Sequence, residues 1–136
     1  MSAEAMYEEI ILDYYRHPQN FGTLEKPDIK AKDVNISCGD EVEIQIAVKE
    51  GKIAQIMFHG KGCAISQAAT SMLTEHVQGV SLEKAAKIAK QEVLDLLSIP
   101  ISPMRLKCAL LGFKVLKVGL YSYLGEKRDG DECEDE

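Results

Sequence analysis

Val42, Ile44, Ile46 and Val48 alternate with Glu41, Glu43, Gln45 and Ala47, the pattern of a strand with one buried and one largely wet face. Lys49-Glu50-Gly51-Lys52 supplies a turn, and Ala54, Ile56 and Phe58 alternate on a return strand from Ile53 to His59. Lys32 to Ser37 offers a third strand, and Thr23 to Lys32 an irregular connection or edge strand. Elsewhere the apolar positions recur at helical spacing. Ala3 to Tyr15 sets Met6, Tyr7, Ile10, Ile11 and Tyr14 on one stripe, ended by Pro18 within the turn-rich His17-Pro18-Gln19-Asn20-Phe21-Gly22. Ala64 to Gln78 carries Ile65, Ala68, Ala69, Met72, Leu73, His76 and Val77 and stops at Gly79. Ser81 caps a short helix reaching about Lys90, and Gln91 to Leu97 forms another before Pro100. Ser102-Pro103 then starts one long helix lined by Leu106, Ala109, Leu110, Phe113, Leu116, Leu120 and Leu124 and closed by Gly125. The fold predicted is α+β: a small three-stranded antiparallel sheet packed on one face against several helices, in two layers.

Composition adds a boundary and a compartment. The 136 residues suit one domain, drawn here as residues 1–125, with 126–136 left as a disordered acidic tail. That tail holds −5 of the formal charge of −6, so the body is nearly neutral and has no basic face for nucleic acid. No apolar run reaches membrane-spanning length, and Glu4, Glu8 and Glu9 replace a basic N-terminal signal, so the expected location is the cytoplasm. Cys38, Cys63, Cys108 and Cys133 include no Cys-x-x-Cys pair; in a reducing compartment they read as ligands or reactive thiols. Cys133, in the tail, reads as an incidental exposed thiol.

The candidate chemistry centres on Gly60-Lys61-Gly62-Cys63-Ala64-Ile65-Ser66, which joins a strand to a helix. The glycines let the chain turn, and the helix start together with Lys61 favours a thiolate at Cys63, as nucleophile, metal ligand or both. In Cys38-Gly39-Asp40 the side chains two apart face one side of an extended chain, a chelating thiolate–carboxylate pair for zinc or iron. On its own the tripeptide is also what a turn before a strand looks like. Cys108 follows Lys107, near Arg105, at the start of the last helix. Three cysteines in Gly, Lys, Arg and Asp contexts near element ends make a shared site more credible than three unrelated core residues.

Asn35-Ile36-Ser37-Cys38-Gly39-Asp40, Gly60-Lys61-Gly62-Cys63-Ala64-Ile65-Ser66 and Arg105-Leu106-Lys107-Cys108-Ala109 resemble the three cysteine motifs of the IscU, NifU N-terminal and SufU family of iron–sulfur cluster assembly scaffolds. His17 to Gly22 resembles that family's N-terminal turn, and the likeness runs from about Met6 to Leu124. It implies an exposed site where Cys38, Cys63 and Cys108, with Asp40 as a labile ligand, hold a [2Fe-2S] cluster. It further implies iron as substrate, sulfur received as persulfide on these cysteines from a pyridoxal-phosphate cysteine desulfurase, and transfer to acceptor apoproteins such as ferredoxins. On this reading the chain is a scaffold and carrier rather than an enzyme. Soft thiolates suit iron–sulfur or zinc, and one hard oxygen donor eases release.

Three departures qualify the resemblance. Lys107 stands where the IscU branch has histidine, and a protonated lysine cannot ligate metal. The basic residue and Gly-Cys-Ala-Ile-Ser look more like SufU, whose resemblance implies bound zinc and sulfurtransfer with a desulfurase. The 45-residue step from Cys63 to Cys108 is, however, too short for that branch's insertion. Ile101-Ser102-Pro103-Met104-Arg105 matches the IscU branch's chaperone site poorly, which leaves an Hsp70-type chaperone a doubtful partner. A structural zinc domain is a third reading, and a thiol hydrolase the least favoured, since no histidine pairs evidently with a cysteine. His17 reads as a solvated helix-end residue, His59 as a solvent-facing strand residue and His76 as packed on its own helix.

Overall fold

The computed structural model describes residues 3–36 and 39–127. Among them β1 (Ile29–Asn35), β2 (Asp40–Lys49) and β3 (Lys52–Lys61) form one antiparallel sheet in the order β1-β2-β3. Around it run α1 (Ala3–Arg16), α2 (Ala64–Val77), α3 (Leu82–Ala86), α4 (Lys90–Leu97), α5 (Pro103–Ala109) and α6 (Leu111–Lys127). This is the expected α+β arrangement. Glu50 and Gly51, at φ 56° and 73°, close the β2–β3 hairpin as a two-residue turn of the type whose twist matches paired strands. The helix-facing side of the sheet buries Val42, Ile44, Ile46, Ile53, Ile56 and Phe58 against Leu73 and Val77 of α2 and Leu111, Val115, Leu116 and Leu120 of α6. No single described helix is long and apolar enough to cross a membrane.

The structure corrects the expected pattern in several places. The register shifts between Ala47 and Val48, so Ile53 pairs with Val48, is fully buried, and leaves Ala54 as the extra, exposed residue of a bulge. The sheet's outer face is only partly wet: Lys30, Lys32 and Gln55 are exposed, while Glu43 and Gln45 are buried there. The segment after α1 covers them. Asn20 and Gly22 pair with Phe58 at the free edge of β3, Leu24 donates its N–H to Gln45 Oε1 at 2.8 Å, and Asp28 accepts from Val48 before β1 begins. Gln45 Nε2 in turn donates to Glu43 Oε2 at 3.0 Å. The same segment is pinned to α2, with Gln19 N–H donating to Ser71 Oγ and Asn20 Nδ2 to Thr74 Oγ1. These bonds give the His17–Gly22 turn a structural role, and His17 itself is exposed as expected.

α2 is buried almost all round rather than along one stripe, because α1, the sheet, α4, α5 and α6 surround it. Its hydroxyls bond within the helix, Thr70 to Ser66 O and Thr74 to Ser71 O. His76 does not pack on its helix; it is exposed and lies 3.3 Å from Glu92 of α4. On α1 Ile11 of the expected stripe is buried and Tyr14 half-buried, with Met6 and Ile10 facing outward. The long last helix is two: it breaks at Leu110 (φ −102°, ψ 4°) and bends by 41°. The bend lets α5 bury Cys108 and Ala109 beside the start of α2 while α6 runs along the sheet, and α6 continues to Lys127 rather than ending at Gly125.

Lys114 of α6 donates to Asp33 of β1 at 2.9 Å, and this bond, with the Val34 N–H, holds the Asp33 carboxyl below its ordinary value of 3.8. A depressed carboxyl contributes stability above its unfolded pKa and loses it as pH falls through the folded one. Both side chains are at least a third exposed, so screening limits the pair to about 0.5 kcal/mol. Lys114→Met is therefore expected to lower the melting temperature by a few degrees at most near neutrality. The difference from wild type should close as a melting series is carried below the Asp33 range.

Candidate functional site

The chain reverses three times at one end of the sheet. There β1 turns into β2, β3 passes into α2, and α5 breaks at Leu110 before α6. Asp40 opens β2 on the helix-facing side and is 1% exposed. Cys63 is the N-cap of α2, half-buried, with extended backbone (φ −73°, ψ 160°). Cys108 lies in the last turn of α5 and is fully buried.

Two glycines shape the Cys63 loop for separate reasons. Gly60 sits against the backbone of Glu41, where a Cβ would collide with the Glu41 carbonyl. Gly62 has φ +134°, a conformation open essentially to glycine alone, and its α-carbon faces Asp40, whose carboxylate occupies the place of a Cβ. That closeness lets Asp40 Oδ1 accept from the Cys63 N–H at 2.8 Å, while Cys63 Sγ lies 3.9 Å from Asp40 Oδ2. Gln67, on the first turn of α2, holds the loop from the other side by donating Nε2 to the Lys61 carbonyl at 3.1 Å.

A carboxylate oxygen of Asp40 and the sulfurs of Cys63 and Cys108 all lie within 4.8 Å of one another. This is the one such group of metal-competent side chains found among the described residues. The donors come from three separate elements and combine soft sulfur with hard oxygen, a set suited to iron or zinc. Cys38, the other expected ligand, lies outside the described residues, as do Cys133 and the tail from residue 128. Lys107 is exposed, and Lys61 also faces solvent. His59 stands apart from the group, its Nε2 3.5 Å from Glu43 across the outer face of the sheet and its side chain 37% exposed. Two polar contacts were not anticipated from the sequence: the Gln67 brace, and Asn35 Nδ2 donating to Cys108 Sγ at 3.8 Å. Their only sequence signal is position, one at each rim of a cysteine motif.

Residues 6–129 match the family model of the NifU-like N terminal domain. The chain is 33% identical over 132 residues to iron sulfur cluster assembly protein 1, mitochondrial, of Debaryomyces hansenii, covering 93% of this chain and 73% of that protein. It is also 33% identical to the iron-sulfur cluster assembly scaffold protein IscU of Thermotoga maritima, covering 88% of this chain and 96% of the relative. Among solved structures it superposes with TM-score 0.70 and 29% identity on a candidate iron-sulfur cluster assembly scaffold for the SUF system from Fervidobacterium islandicum, over 88% of this chain and 99% of the other.

Proposed function

Because the chain belongs to the NifU-like N-terminal family, we propose that it is a scaffold on which iron and sulfur are assembled into an iron–sulfur cluster and passed to acceptor proteins. The observation that carries this reading is the convergence of Asp40, Cys63 and Cys108 within 4.8 Å. Their chemistry fits the cargo. Thiolates hold iron through soft donors, and a carboxylate is a weaker, harder ligand that leaves the set easier to dissociate than a full thiolate set. Cys38, two positions before Asp40 in the sequence, is the proposed third sulfur. The cluster assigned is [2Fe-2S], with sulfur delivered as persulfide by a pyridoxal-phosphate cysteine desulfurase and acceptors of the ferredoxin kind. A cytoplasmic location is proposed for the chain.

The part of this chain is to present its thiols at one end of the fold. Asp40 fixes the Cys63 backbone through the 2.8 Å bond from its N–H, so the sulfur is held at the site rather than swept by a flexible loop. Cys108 is delivered by the bend at Leu110. Anaerobic incubation with ferrous iron, cysteine and a desulfurase should give a coloured, acid-labile-sulfide-containing protein that converts apo-ferredoxin to its holo form. A colourless product with a competent desulfurase overturns the reading.

A second reading is favoured by one observation. Lys107 occupies the position before Cys108, is exposed, and cannot ligate as an ammonium, so three sulfurs and Asp40 would supply four donors, the number zinc takes in a structural site. The protein would then accept sulfur for a desulfurase with zinc bound. Stoichiometric zinc after anaerobic purification, with stimulation of desulfurase turnover lost on zinc removal, would select it.

A further inference from the structure

Asn35 and Asp40 face each other across the base of the β1–β2 hairpin. Directly opposed residues of antiparallel strands point to the same side, so both side chains are directed into the helical layer. Each reaches a different cysteine. Asp40 accepts from the Cys63 N–H, and Asn35 Nδ2 donates to Cys108 Sγ at 3.8 Å, a length set by the larger sulfur atom. The loop closed by this pair carries Cys38.

We propose that Asn35 is a positioning residue for Cys108, an N–H···S donor that fixes the direction of the sulfur and takes up part of its thiolate charge when metal is bound. This rests on the reading above that Cys108 is a ligand. Cys108 is fully buried, and a buried thiolate is costly without hydrogen bonds to it. A thiolate accepts and does not donate, so the amide must turn its NH2 toward it. Hydrogen bonds to ligand sulfur orient the ligand and set how strongly it donates to the metal, and losing such an outer partner weakens metal binding by about 10- to 100-fold.

The test uses the reduced, metal-free full chain titrated anaerobically with Co(II), as wild type, Asn35→Leu (close in shape, no donor) and Asn35→Ala. Both variants are expected to bind Co(II) about 10-fold more weakly. Their thiolate-to-cobalt charge-transfer band should move to lower energy, because sulfur without the hydrogen bond gives up charge more readily. A variant with native circular dichroism and an unchanged dissociation constant and band overturns the proposal. Wild type without any thiolate charge-transfer band instead overturns the ligand reading beneath it. A second measurement needs no variant to fold: in the wild-type protein loaded with cadmium-113, an Asn35 side-chain amide proton should show coupling to the metal across the hydrogen bond. Metal-loaded protein lacking that coupling overturns the proposal equally.

Discussion

Cys63→Ser is expected to give a protein as well folded as wild type that retains no iron–sulfur chromophore after reconstitution and desalting. The two halves of this expectation have different origins. Cys63 is the N-cap of α2, and its own side chain makes no capping bond to the helix. Serine is among the preferred N-cap residues because its oxygen accepts from the exposed N–H groups of the first turn, an effect of about 0.5–2 kcal/mol relative to a non-capping residue. The Asp40–Cys63 backbone bond uses the main-chain N–H and survives the substitution. The melting temperature should therefore hold or rise by a few degrees. On the proposed ligand set, the site loses a soft donor from a group in which Asp40 would already supply one hard oxygen. A second oxygen leaves too little thiolate to hold iron–sulfur against exchange. Visible absorption after gel filtration, read beside a thermal melt, checks both. A variant that unfolds would move the assignment to a structural zinc domain, and a variant that keeps a full chromophore would remove Cys63 from the site.

The sheet was legible because alternation over Val42 to Val48 leaves little choice of period, and the turn at Glu50-Gly51 carries its own chemistry. The cysteine at the strand-to-helix junction was legible for the same reason, since Gly60 and Gly62 mark a backbone that cannot be ordinary. What the sequence hid is non-local. Glu43 and Gln45 look solvent-facing until residues 20–28 are seen to cross that face, bonding Leu24 to Gln45. Ala54 fits the alternation on paper, but one extra residue in β3 inverts its side and brings Ile53 inward. The break at Leu110 has no proline or glycine at the position itself. It follows from the need of α5 to pack at the head of α2 while α6 follows the strands. Asn35 opens the first cysteine motif, but only the strand register shows that it opposes Asp40.

Gly62→Ala is expected to damage fold and site together. Its φ of +134° lies outside the left-handed pocket that asparagine or aspartate tolerate, so an alanine there carries about 1–3 kcal/mol of backbone strain. Relaxing the angle offers no escape, because the new methyl is directed at the Asp40 carboxylate and its α-carbon, the latter 2.7 Å away. Asp40 is 1% exposed and anchored in β2, so it has little room to withdraw. Moving it would break the 2.8 Å bond to the Cys63 N–H and leave a buried group unpaired, a further cost of about 1–3 kcal/mol. A total loss of about 2–6 kcal/mol follows, a large part of the stability of a domain this size. Denaturant melts should show it, and protein that remains folded should bind Co(II) at least about 10-fold more weakly than wild type, because Asp40 and Cys63 no longer share one geometry. Gly39→Ala gives the control. Its α-carbon also has positive φ, at +71°, but a methyl there meets nothing within 4 Å, so about 1 kcal/mol of strain is expected without steric displacement of Asp40. Equal losses in the two variants would show that backbone strain alone, and not the contact with Asp40, makes glycine necessary beside Cys63.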